Sequence, residues 1–142
     1  MTQPLVLVAI DPSDIESQIH ILRAAAAEAD SRGARLGQLL VVEAMSHAGI
    51  GEGFAERTRE LMADAVRRAD SWAEGVLGRK VSTWVAYGDA DAQILAETKK
   101  LDAVALVMGE RRKRAIDRVL GSVATAVTEA APCPVVLVPP VA

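Results

Sequence analysis

Two glycines and a serine lie on either side of a strongly basic segment near the C-terminal end of the sequence. Gly109 ends an apolar run, and Gly121 and Ser122 open a stretch in which apolar residues recur at helical spacing. Glycine lets the backbone approach an anion closely, and the free amides at a helix start direct their positive ends toward it. These residue types in this order are typical of a phosphate-binding site, to which the Ser122 hydroxyl would add a donor.

The segment between these glycines is unusually basic for this chain. It holds five of the sixteen lysines and arginines, namely Arg111, Arg112, Lys113, Arg114 and Arg118. Guanidinium groups can bind a phosphate through two hydrogen bonds at once. A solvated surface loop would have the same composition, so both interpretations stay open. The net charge of −3 means that any attraction for anions must be local.

The composition limits the class of protein. A chain of 142 residues with 51% hydrophobic and 25% charged residues predicts one folded domain spanning residues 1–142. The 3% aromatic content and the negative net charge argue against nucleic acid as a partner. Cys133 has no partner for a disulfide or a cysteine metal cluster. No apolar run approaches the roughly 18 residues of a membrane helix, and the N-terminus lacks a signal peptide, so we expect a soluble cytoplasmic protein.

Apolar runs alternate with amphipathic stretches along the chain. Strands are predicted at 5–10, 36–42, 81–87, 104–108 and 134–138, and helices at 15–29, 54–76, 90–101 and 119–130. Ser13 and Glu16 fit a capping box at the start of the first helix, and Gly37 interrupts the second strand. This alternation predicts an α/β fold, a doubly wound, mostly parallel sheet with helices on both faces.

Right-handed crossovers determine where a ligand would bind in such a sheet. The winding direction reverses between the first and fourth strands, and a crevice opens there at the carboxyl ends. Asp11, after the first strand, would then lie beside Gly109, after the fourth. A carboxylate near a helix start is also favourable without any ligand.

His20 and His47 are predicted to be surface residues, Trp72 a core residue and Cys133 a packing residue. The sequence has no nucleophile motif or metal-ligand cluster, so we expect no enzymatic activity.

Three segments resemble the universal stress protein family. They are VLVAIDPSD at 6–14, YGDADAQIL at 87–95, and VMG followed by GSVATAVTEAAPCPVVLVP at 107–109 and 121–139. The resemblance implies a single domain with a five-stranded parallel sheet in the order 3-2-1-4-5, four helices and an adenine nucleotide alpha hydrolase-like fold. It also implies an adenine nucleotide as ligand, ATP being favoured, with magnesium as a possible companion ion.

The same resemblance assigns roles to individual residues. It places Asp11 on the ribose, Ile10 and Val42 beside adenine, and the phosphates on a loop of the form G-x2-G-x9-G-[ST]. Gly109, Gly121 and Ser122 match that loop, and Arg112 and Val123 complete the candidate cofactor-binding set. The sequence departs from the pattern twice, because Arg112 occupies the second glycine position and eight residues rather than nine precede Gly121. An arginine forced into a left-handed conformation would cost roughly 1–2 kcal/mol.

Two functions follow from these observations. The first is an adenine-nucleotide sensor or regulator in the stress response, which acts by population shift. The second is a dimeric interaction protein of the same fold with a vestigial site. Both imply a homodimer, because the last strand would be an apolar sheet edge, which proteins normally cover or pair. In the family this strand commonly pairs across a two-fold axis, here through Val135, Val136, Leu137 and Val138.

Overall fold

The computed structural model describes residues 3–43, 51–110 and 120–141. Five strands are present: β1 (Leu5–Ile10), β2 (Arg35–Val42), β3 (Ser82–Tyr87), β4 (Ala105–Gly109) and β5 (Val135–Val138). Four helices alternate with them: α1 (Ile19–Ser31), α2 (Phe54–Leu77), α3 (Ala90–Lys100) and α4 (Ser122–Ala130). All strand pairs are parallel in the order β3-β2-β1-β4-β5, which confirms the predicted sheet.

The sheet is covered on both faces, as its apolar strands predict. Val6, Val8 and Ile10 of β1 pack with α1 and α2 on one face. Leu7, by contrast, joins the cluster on the other face, where the buried side chains of α3 and α4 lie. Successive strand residues point to opposite faces, so a strand buried on both sides must be apolar at nearly every position. The central strand β1 satisfies this requirement and fixes the positions of its neighbours.

The first helix begins differently from the prediction. A short 3-10 turn at Ile15–Gln18 precedes α1, and neither element has a side-chain cap. The predicted capping box at Ser13 and Glu16 is therefore wrong. The Ser13 hydroxyl and backbone N–H instead both donate to Asp11 Oδ1, at 2.7 and 2.9 Å. The Asp11 carboxylate accepts both serine donors, because an aspartate side chain readily closes a local turn with the backbone two residues further on.

Strand β2 runs through Gly37 without the predicted interruption. A Cβ atom at this position would lie 3.0 Å from Trp84 Cη2 and 3.1 Å from Leu5 Cδ1. The indole of Trp84, on the neighbouring strand β3, thus takes the space that a side chain at residue 37 would need. Arg35 lies over the same ring at 5.9 Å from its centroid. Glycine is required here by a side-chain contact across the sheet rather than by a break in the strand.

Beside Gly37, Gln38 is a fully buried polar residue at the interface between β2 and α2. Its Nε2 donates to Ala69 O at 3.1 Å and to Thr83 Oγ1 at 3.0 Å. The Thr83 hydroxyl in turn donates to Asp70 Oδ1. Gln38 Oε1 has no hydrogen-bond partner among the described residues. The long helix α2 is thereby tied to β2 and β3 by a short polar network as well as by apolar packing.

In the described ranges, no helix has both the length and the apolar character needed to cross a membrane. The longest is α2, and its outer face carries charged pairs such as Asp64 with Arg68 at 3.0 Å. These charges are exposed, so they contribute little to stability.

Candidate functional site

A crevice opens at the carboxyl ends of the strands, where the winding direction of the sheet reverses. β1 lies between β2 and β4, and its register with β4 pairs Val8 with Val107. The same register carried forward brings Ile10 beside Gly109. The cavity here has a volume of about 530 Å³, within the range usual for small-molecule sites. The predicted juxtaposition of Asp11 and Gly109 is present, because both line this cavity.

The inner part of the cavity is apolar. Strand residues that face α3 and α4 form it together with one residue from each of those helices: Ala9, Leu39, Val41, Met108, Ile94 and Val123. Most of these side chains are buried in the core, so packing against their other neighbours holds them in place. A rigid apolar slot of this kind suits a flat ring system better than a charged group.

The outer part of the cavity is polar and carries several carboxyl groups. Its acidic residues are Asp11, Asp14, Glu43 and Glu110, and the described lining residues include no lysine or arginine. Ser17, Gln18 and His20 complete the polar wall. Within the described ranges, no group of three or more potential ligands is arranged to hold a metal ion. The described wall can therefore accept hydrogen bonds from a ligand but does not by itself attract an anion.

Hydrogen bonds order the loop that carries Asp11. Gln18 Oε1 accepts from the backbone N–H of Asp11 at 2.9 Å, and Gln18 Nε2 donates to Asp11 O at 2.8 Å. The same Nε2 donates to Asp14 O at 2.7 Å. The N–H and hydroxyl of Ser13 both donate to the carboxylate of Asp11. The side chain of Asp11 is thus directed by contacts at both its backbone and its carboxyl group.

The predicted site residues are only partly brought together. Ile10, Asp11, Gly109 and Val123 all line this cavity. Val42 lies outside the lining, although Val41 and Glu43 on either side of it take part. Its side chain packs with the α1 and α2 cluster, and its carbonyl accepts from Gly88 N at 3.0 Å. Arg112 and the other basic residues at 111–118 fall outside the described residues, as does His47.

Gly121 and Ser122 lie at the start of α4, beyond the lining residues of the cavity. Gly121 caps the helix with φ −61° and ψ 155°, a conformation open to any residue. Its N–H donates to Glu110 O at 3.2 Å, and its carbonyl accepts from Thr125 N at 3.0 Å. Since this amide already has a partner, phosphate contacts at α4 would rely on Ser122 and the amides that follow it.

Gly109 has a packing role that is independent of any ligand. A Cβ atom there would lie 2.8 Å from Ile21 Cδ1, closer than such atoms normally approach. Ile21 belongs to α1 and lines the cavity too. The absence of a side chain at residue 109 therefore allows α1 to approach β4 closely, and it leaves the end of the Ile21 side chain as part of the cavity wall.

Several lining residues were missed or misjudged by sequence reasoning. His20 was predicted to be a surface residue, but it is half-buried and lines the cavity. Gln18 belongs to no motif, and its spacing of seven residues from Asp11 is the only sequence signal that could have pointed to it.

Cys133 packs against the α3 and α4 cluster, as predicted. Burial raises the pKa of its thiol, and the positive charge of Arg32 opposes this only in part, so the thiol is not an activated nucleophile.

With this fold and crevice, the chain belongs to the universal stress protein family, whose sequence model matches residues 5–139. Similar solved structures include UspA from Lactobacillus plantarum, with 22% identity, a TM-score of 0.68, and coverage of 97% of this chain and 99% of that one. The universal stress protein from Archaeoglobus fulgidus in complex with dAMP has 22% identity, a TM-score of 0.60, and coverage of 96% and 98%.

A universal stress protein in complex with cAMP is also similar, with 18% identity, a TM-score of 0.70, and coverage of 99% of this chain and 100% of that one. At these identities the likeness establishes a shared fold. A search of curated proteins returned no match.

Proposed function

We propose that this protein binds an adenine nucleotide, with ATP favoured, in the crevice between β1 and β4, and that it acts as a cytoplasmic sensor or regulator in the stress response. The observation that carries the proposal is the joining of an apolar slot to the ordered carboxylate of Asp11 within one cavity of about 530 Å³. Ligand binding would shift the population of protein conformations that partners recognise, without turnover of the nucleotide.

The base and the ribose of a nucleotide each have a counterpart in this arrangement. The purine would occupy the slot formed by residues such as Leu39, Val41 and Met108. The ribose hydroxyl groups would donate to the carboxylate of Asp11, and hydrogen bonds to a charged acceptor are stronger than neutral ones. Structures similar to this one were solved with dAMP and with cAMP, which supports an adenine nucleotide as the class of ligand.

The phosphates need positive charge that the described wall does not provide. Asp14, Glu43 and Glu110 would repel a triphosphate at short range unless a cation lay between them. Magnesium bound to the phosphates would screen this repulsion, since the ion is commonly held by substrate phosphates and one or two carboxylates. The basic residues at 111–118 are the second source of charge, and Ser122 at the start of α4 would add a hydroxyl donor.

Calorimetric titration with ATP and magnesium tests the proposal. The wild-type protein is expected to give saturable heat at micromolar to millimolar nucleotide, and Asp11→Ala to weaken binding at least about tenfold, since a charged hydrogen bond contributes roughly 1.5–3 kcal/mol. Ser122→Ala should weaken the binding of ATP more than that of adenosine, because its hydroxyl would meet only phosphate.

Asp30→Ala and Ser82→Ala are the matched controls for this titration. Asp30 is an exposed residue paired with Arg79 at 3.1 Å, and Ser82 is exposed at the start of β3. Neither residue lines the crevice, so both variants should bind as the wild type does. An absence of heat for the wild type at millimolar nucleotide would reject the proposal.

The second candidate is a dimeric interaction protein that has lost nucleotide binding. Two contacts favour it. The N–H of Gly121 is already bonded to Glu110 O. The absence of a side chain at Gly109 is explained by the close approach of Ile21. Gly109 therefore has a structural role that would retain it without a ligand, and the N–H of Gly121 is already used within the protein.

Either function is proposed to use a homodimer formed through β5. This strand is at the edge of the sheet, pairs with β4 alone among the described strands, and is half-buried along its length. Pro134 O accepts a hydrogen bond from Leu106 N of β4, and Val138 O accepts one from Glu110 N, directly after β4. Because backbone groups alternate in direction along a strand, the N–H groups of Val135 and Leu137 face outward. An outward row of this kind is suited to pairing with a second copy.

Val135→Pro tests this pairing because it removes one outward N–H and leaves the bonds to β4 in place. Sedimentation at micromolar concentration should show a dimer for the wild type and a dissociation constant about tenfold higher for the variant, the effect of roughly one to two lost hydrogen bonds. Val135→Thr keeps both the branched shape and the N–H, so it should remain dimeric. A monomer for the wild type, or equal dissociation of the two variants, would contradict pairing through this edge.

A further inference from the structure

Gln18 uses its whole side-chain amide on the backbone of the loop that carries Asp11. Its Oε1 accepts from Asp11 N at 2.9 Å, and its Nε2 donates to Asp11 O at 2.8 Å and to Asp14 O at 2.7 Å. Asp11 directly follows β1, so its backbone lies at the end of the sheet. The amide of Gln18 therefore pairs with the N–H and C=O of Asp11 as a neighbouring strand would, one residue beyond the strand.

We infer that Gln18 is a positioning residue for ligand binding, which holds the carboxylate of Asp11 toward the crevice. This inference rests on the proposed function, because it assigns Asp11 to the ligand. Gln18 itself lines the crevice, together with Asp11, Asp14 and Ser17. With the backbone of Asp11 fixed on both sides, the carboxylate can satisfy Ser13 and keep one direction relative to the slot.

The chemistry of an amide explains why glutamine is suited to this position. Only an uncharged side chain with both a donor and an acceptor can bond to an N–H and a C=O at the same time. Glutamate would keep the bond to Asp11 N but would place a negative charge against two carbonyl oxygens. Methionine has a similar shape but makes none of these bonds. In either variant the loop would populate more conformations, and a ligand would have to order it on binding.

The first measurement compares ATP with adenine as ligands of Gln18→Met. Affinity for ATP with magnesium is expected to fall about tenfold, the effect of ordering a few loop residues on binding. Affinity for adenine, followed by ligand-observed NMR, should stay within about twofold, because the slot that receives the base does not involve Asp11. A purely structural role for Gln18 would weaken both ligands equally, and that result would overturn the inference.

Val6→Ala provides a control for a general loss of stability. Val6 is fully buried at the amino end of β1, paired in register with Leu36 and Ala105, and lies outside the crevice lining. The variant should unfold more easily, yet bind ATP and adenine as the wild type does. An equal loss of ATP affinity in Val6→Ala and Gln18→Met would also overturn the inference.

A second measurement needs no ligand and separates this inference from the proposed function. Hydrogen exchange at the Asp11 amide, which donates to Gln18, should speed up about tenfold in Gln18→Met and remain unchanged in Val6→Ala. Unchanged exchange in Gln18→Met would show that the loop is held by other contacts. Failure of the wild type to bind ATP would reject the proposed function, and the exchange rates would still decide whether Gln18 orders the loop.

Discussion

Gln38→Glu is expected to lower the free energy of unfolding by about 3–5 kcal/mol at neutral pH, the usual cost of an uncompensated buried charge. Gln38 is fully buried, and its Nε2 donates to Ala69 O and Thr83 Oγ1. A carboxylate there would lose both donor contacts and would face the carbonyl of Ala69. Asp70, which accepts from Thr83, would add a second negative charge nearby.

The effect of Gln38→Glu should depend on pH in a defined direction. Burial raises the pKa of the introduced carboxyl group in the folded state above its unfolded value of about 4.3. Below the unfolded pKa the group is protonated in both states, so the variant should then lie closest to the wild type. The destabilisation should grow as the pH rises through the folded-state pKa. Urea denaturation in acid and at neutral pH, with the wild type measured under the same conditions, checks both the size and the sign.

Gln38→Met is the control that separates charge from lost hydrogen bonds. It keeps the shape of the side chain and removes the oxygen Oε1, which has no partner among the described residues. Removal of an unsatisfied buried group offsets the loss of the bonds from Nε2, so the stability should stay within about 1 kcal/mol of the wild type. If the methionine and glutamate variants were equally unstable, the buried charge would not be the cause.

Gly37→Ala is expected to destabilise the protein by about 1–3 kcal/mol, the usual cost of overpacking a core. The new methyl group would overlap Trp84 at Cζ3 and would lie 3.1 Å from Leu5 Cδ1. The indole already lies beneath Arg35, so relief requires displacement of the ring or movement of β3 relative to β2. Thermal or urea unfolding measures the loss.

Two further variants assign the cause of that loss. In a Trp84→Leu background the overlap disappears, so Gly37→Ala should have a much smaller effect there, and an equal loss in both backgrounds would exclude the ring as the cause. Gly75→Ala changes a helical glycine whose added Cβ would meet nothing within 4 Å. That variant should be stabilised by about 0.5–1 kcal/mol, because alanine favours the helix.

The sheet could be predicted because its signals are local and repeated. The strands β1 and β4 are apolar at nearly every position, which indicates burial on both faces, and right-handed crossovers leave few possible orders. The confirmed order then places Asp11 beside Gly109 without further information. The location of the crevice thus follows from the chain, since it depends on topology rather than on any particular side-chain contact.

The details of the site depend on contacts that the sequence does not encode locally. Whether Val41 or Val42 faces the crevice is decided by the orientation of β2 in the sheet, and a shift of one residue reverses it. The pairing of Gln18 with Asp11 depends on the path of the loop, which is set by an aspartate turn at Ser13 rather than by a capping box. Roles for Arg112 and its basic neighbours stay predictions, because they fall outside the described residues.

The contact between Gly109 and Ile21 bears on how ligand preference could change within this fold. The position of the crevice is fixed by the neighbouring carboxyl ends of β1 and β4, but part of its wall is formed by Ile21, whose Cδ1 lies where a side chain at Gly109 would be. A shorter residue at position 21 would enlarge the cavity without altering a polar contact, and a longer one would fill it. Selectivity for ligand size could therefore evolve through one helix residue while the strands and the loop of Asp11 stay as they are.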